Sequence, residues 1–79
     1  MSKNKKSNQS QLEQDVKNII TKYGKELELS AYEIINFTSS ENPKYNKKDI
    51  ADTFKELLSG YEIRTCSRDG HRYYRVSRS

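Results

Sequence analysis

Residues 61–78 read YEIRTCSRDGHRYYRVSR. Asp69-Gly70 lies between two runs of β-like composition. A two-residue type I′ turn needs positive φ at both positions, and Asp-Gly accepts this, so the stretch signals a β-hairpin. The turn also sets the register. On one face Arg68 meets His71, Cys66 meets Tyr73 and Arg64 meets Arg75. On the other Ser67 meets Arg72, Thr65 meets Tyr74 and Ile63 meets Val76. The second face carries Ile63, Tyr74 and Val76 and is expected to cover a core, leaving the first to solvent.

Upstream, the apolar residues recur at helical spacing. Ser10 and Glu13 form a capping-box pattern ahead of Leu12, Val16, Ile19, Ile20 and Tyr23, with Gly24 as the expected stop. ELELS, residues 26–30, alternates Leu27 and Leu29 with glutamates and predicts a short strand. Ser30 and Glu33 form a second capping box before Ile34, Ile35 and Phe37, and Leu29 can staple onto Ile34. Residues 38–45 are expected to form an eight-residue connection marked by Asn42-Pro43. Asn46 then caps a third helix carrying Ile50, Phe54, Leu57 and Leu58, with Gly60 as its stop.

The chain has 79 residues, enough for one domain, and a net charge of +4. Residues 1–10 hold three lysines and no acid, and residues 1–9 are read as an unstructured basic arm ahead of a domain over 10–79. Residues 11–60 hold seven lysines and nine acids. From residue 61 onward there are five arginines against Glu62 and Asp69, and every arginine of the chain lies there. Arginine forks hold phosphate in a fixed geometry, whereas lysine is a looser point charge. The hairpin is therefore the first place to expect an anion-binding surface.

Helix, short strand, helix, helix and hairpin is an α+β order that resembles the winged helix-turn-helix family. The resemblance rests on KKDIADTFKELLSGYEIRTCSRDGHRYYRV and spans roughly residues 11–78. It implies a double-stranded DNA-binding protein, sequence-specific or general, acting as a transcriptional regulator. The third helix would enter the major groove and the hairpin, or wing, would touch the backbone. The residues it puts forward are Asn46, Lys47, Lys48 and Thr53 on the third helix and Arg64, Arg68, His71, Arg72 and Arg75 on the wing. The size and composition resemble those of phage, archaeal-virus or plasmid regulators, many of which bind as homodimers. Z-DNA-binding winged helices are discounted because the chain has no Trp for their wing.

The third helix also carries Asp49, Asp52 and Glu56 on the side opposite its apolar stripe. Lys48–Asp52 and Asp52–Lys55 have the spacing to pair. The acids leave open a second reading, a winged helix that recognises a protein partner through this face. Arg64 opposite Arg75 is a like-charge pair that Glu62 could relieve in part and a phosphate in full. A strand edge guarded by charge is the plain alternative for the wing. Tyr73 would be the base-stacking platform if the ligand were RNA. One cysteine and one histidine argue against a disulfide and a zinc site. No catalytic residues, cofactor or metal are expected. No apolar run is long enough for a membrane span, and a soluble cytoplasmic protein is expected, in the host cytoplasm if it is viral.

Overall fold

The computed structural model describes residues 2–77, with side-chain surroundings from residue 11 onward. Three helices, α1 (Ser2–Tyr23), α2 (Ala31–Glu41) and α3 (Lys47–Ser59), precede an antiparallel hairpin of β1 (Ile63–Arg68) and β2 (His71–Val76). This is the α+β layout expected of a winged helix.

α1 is longer than its Ser10–Glu13 capping pattern implied: its helical backbone continues back to Ser2. Residues 2–9 hold no Gly or Pro, and Lys and Gln are good helix formers, so nothing local stops the helix at Ser10. The lysines of the basic arm and Arg78 lie outside the described side chains. α1 ends at Gly24 by close approach: a β-carbon there would sit 2.3 Å from the Ile20 carbonyl oxygen.

The α1–α2 connection forms no regular strand, and the sheet has two strands. Leu27 is exposed and Leu29 is 1% exposed. The expected third strand survives as one bond, from Tyr74 N to Leu29 O at 3.2 Å. The second capping box forms as expected, with Ser30 Oγ accepting from Glu33 N and the Glu33 carboxylate accepting from Ser30 N. Leu29 and Ile34 share the core.

α2 continues to Glu41, so the connection to α3 is residues 42–46, shorter than the eight expected. Ser39 and Ser40 do not break a helix. Asn42 does, because Pro43 disfavours the α region before it, and Asn42 sits at φ −132°, ψ 71°. The shorter connection is closer to an ordinary helix-turn-helix turn. Asn46 Oδ1 accepts from Asp49 N at 2.8 Å, the expected N-cap of α3.

α3 ends in a Schellman turn, with Glu62 N donating to Leu57 O and Tyr61 N to Leu58 O. Its left-handed residue is Tyr61, at φ 61°, and not Gly60, at φ −86°. The hairpin register is the one the turn dictated, all six pairs included. Asp69 and Gly70 take φ 53° and 78°.

The core joins Leu12, Val16 and Ile20 of α1 with Leu29, Ile34, Ile50, Phe54, Leu57 and Ile63. Tyr74 closes it, edge-on to Phe54 at 5.0 Å. Among the described residues no buried side-chain polar atom lacks a partner, and no helix is long and apolar enough to cross a membrane.

Candidate nucleic-acid interface

The Schellman turn sends β1 back along α3. Glu62 meets Leu57 through its backbone, and Tyr74, opposite Thr65, reaches Phe54. The hairpin thus packs against the C-terminal half of α3. The tip of the wing meets the α1–α2 connection at Glu28.

At the start of α3, Asn46, Lys47 and Lys48 are exposed. Asn46 spends its side-chain oxygen on the cap, leaving its amide N–H groups. Helix N-termini carry a partial positive charge that adds to that of the lysines. Lys44, on the α2–α3 connection, is exposed as well, its Nζ 5.2 Å from the centre of the Tyr45 ring. Sequence reasoning missed it, although residues 43–48, PKYNKK, hold three lysines and no acid.

Thr53 does not belong to this surface. It is 2% exposed. Ile50, Thr53, Phe54 and Leu57 form one i, i+3, i+4, i+7 stripe, which places Thr53 on the inward side of α3. Asp49, Asp52 and Glu56 are exposed, as expected. The anticipated Lys48–Asp52 and Asp52–Lys55 pairs do not close; the ion pairs present link other residues.

The wing cations divide into two groups. Three face the α1–α2 connection. Arg68 Nη1 lies 3.2 Å from Glu28 Oε2, and His71 Nε2 lies 3.2 Å from the Glu28 carbonyl oxygen. Arg75 Nη1 donates to the Gly24 carbonyl oxygen at 2.6 Å. The outer face of β2 is therefore largely engaged. His71 stacks on Tyr73, and the Arg75 guanidinium lies over the same ring at 5.4 Å. Tyr73 is half-buried between them. Arg64 and Arg72 form the second group: both are exposed, and neither has a partner among the described residues. Glu62, expected to relieve the Arg64–Arg75 pair, binds Lys17 of α1.

Glu28 and Gly24, which hold three wing cations, carried no sequence signal for that role. They lie 40 or more residues away in sequence, beyond the reach of any local pattern. Arg72 and Arg68 flank the turn, and Arg68 remains two-thirds exposed despite its ion pair. An exposed pair contributes about 0–1 kcal/mol, so Glu28 can give way to a phosphate at little cost.

The described residues gather no group of three His, Cys, Asp or Glu able to hold a metal ion. Cys66 is a half-buried free thiol opposite Tyr73. Comparison with models of protein families, with curated proteins and with solved structures finds no match to this chain.

Proposed function

We propose that this chain is a winged-helix protein that binds double-stranded DNA and acts as a transcriptional regulator. The carrying observation is the exposure of two sets of cations on the elements the reading assigns to DNA: Lys44, Lys47 and Lys48 around the start of α3, and Arg68 and Arg72 at the wing tip. Phosphate neutralisation supplies most non-specific affinity for DNA, and such contacts also fix the orientation of a reading helix. Arg72 is the foremost wing contact, being exposed and without a partner among the described residues. Arg68 and His71 contribute by exchanging Glu28 for phosphate. Arg75 holds the wing base in place, and Arg64 lies beside it, away from the tip.

The exposed acids of α3 favour a second reading, recognition of a basic protein surface through Asp49, Asp52 and Glu56. Fluorescence anisotropy with a labelled random-sequence duplex separates the two. On the DNA reading, the Lys47→Ala/Arg72→Ala variant binds at least tenfold more weakly than the wild type at low salt. Equal affinity of the two proteins, or no binding by either, refutes it and leaves the protein-partner reading.

A further inference from the structure

A cleft of about 430 Å³ opens at the base of the wing, away from its tip, between the end of α1 and the hairpin. Lys25, Arg64 and Arg75 line it together with the hydroxyl-bearing Thr21 and Ser77, and no acidic residue does. None of its residues belongs to α3. We propose that this cleft binds a phosphate group carried by a small molecule, of the nucleoside monophosphate class.

Three observations support this. First, Arg64 and Arg75 are direct cross-strand partners on one face of the hairpin. Their β-carbons are thus about 5 Å apart, and like charges so placed destabilise a strand pair. The acid nearest in sequence, Glu62, is held by Lys17. Arg68, further along the same face, has Glu28, but Arg64 has no partner among the described residues. A phosphate dianion between the two guanidiniums removes the repulsion.

Second, Arg75 is already oriented. Its bond to the Gly24 carbonyl and its seat over Tyr73 fix the guanidinium, and one bond uses only one of its five N–H donors. The same bond occupies a carbonyl at the negative end of α1, which would otherwise oppose an anion.

Third, the volume lies within the roughly 300–1,000 Å³ range of small-molecule pockets. Val76 supplies an apolar wall on which a sugar or base can rest. This goes beyond the DNA reading and does not depend on it, because the tip cations Arg68 and Arg72 and the lysines of α3 lie outside the cleft.

The test is an isotope-labelled NMR titration of the full chain with adenosine 5′-monophosphate, inorganic phosphate, adenosine, and a short DNA duplex in separate arms. The proposal expects saturable shifts of the Thr21, Lys25, Arg64 and Ser77 amides with the monophosphate. Phosphate should give weaker shifts at the same amides, and adenosine none. In Arg64→Gln, whose exposed side chain leaves the fold intact, the monophosphate should bind at least tenfold more weakly. The monophosphate should also raise the melting temperature of the wild type more than that of the variant. Four results overturn the proposal: no saturable shifts; shifts unaltered by Arg64→Gln; shifts spread equally over the wing tip; or shifts of the cleft amides with the duplex alone, which would assign the cleft to the DNA backbone.

Discussion

The Arg75 guanidinium donates to the carbonyl oxygen of Gly24 over 2.6 Å and ties the base of the wing to the end of α1. The two residues are 51 positions apart. This bond turns a hairpin, marginal in isolation, into part of the folded body. A charged donor on a partly buried carbonyl contributes about 1.5–3 kcal/mol, less where solvent reaches it. Arg75→Ala should therefore lower the urea midpoint, with a loss of about 1–2 kcal/mol. Arg64→Ala, which breaks no hydrogen bond or ion pair among the described residues, should be neutral or slightly stabilising. Equal losses in the two variants would refute this account of the wing base.

Tyr61 occupies the left-handed position after α3 at φ 61° and is 84% exposed. A bulky residue pays about 1–2 kcal/mol for that conformation, and glycine does not. Tyr61→Gly removes no buried contact. Chemical denaturation should show a gain of about 0.5–1 kcal/mol once glycine's greater unfolded-state entropy is subtracted. A loss would mean that the Tyr61 ring makes a contact that matters.

Tyr45 packs against the core, and its hydroxyl donates to Asp15 Oδ2 at 2.7 Å. Burial first, and then the Asp15 carboxylate, push its pKa up to about 12. The folded state therefore keeps the proton that the unfolded state loses near pH 10. The stabilisation is complete below pH 10 and is lost as pH rises toward 12. Tyr45→Phe should cost about 1 kcal/mol near neutrality, the usual net worth of a hydrogen bond. It should also flatten the fall of stability with pH between 10 and 12, followed by urea denaturation at fixed pH. An unchanged alkaline slope would contradict this assignment.

Asp52 is exposed on α3, and the pairs expected to mute it are open. On the DNA reading its charge opposes nearby phosphates. Asp52→Asn should raise duplex affinity severalfold at low salt, and the gain should shrink as salt increases. Weaker duplex binding by the variant would point instead to a hydrogen bond accepted by Asp52 from a base.

The hairpin was legible in the sequence down to its register, because Asp69-Gly70 admits one turn type and that turn sets every pair. The caps at Ser30 and Asn46 were legible for the same local reason. The length of α2 was less so: the loop-like composition of Ser39 and Ser40 hid a helix that only Asn42-Pro43 ends. Thr53 was misplaced although its spacing from Ile50 and Leu57 puts it inward, because its polar side chain suggested the surface. The bonds from the wing to Glu28 and Gly24 depend on tertiary packing. They decide which arginines are available to a ligand, and the arginine pattern alone could not distinguish Arg75, which is occupied, from Arg72, which is not.

The most direct test of the central claim is the salt dependence of binding to a random-sequence duplex, for the wild type and for Arg68→Ala/Arg72→Ala. Five cations at the interface, Lys44, Lys47, Lys48, Arg68 and Arg72, predict a log–log slope of about −4.5, since each neutralised phosphate contributes about −0.9. Removing the two tip arginines should bring the slope to about −2 to −3. No binding at low salt, or the same slope in both proteins, would contradict a wing that grips the DNA backbone.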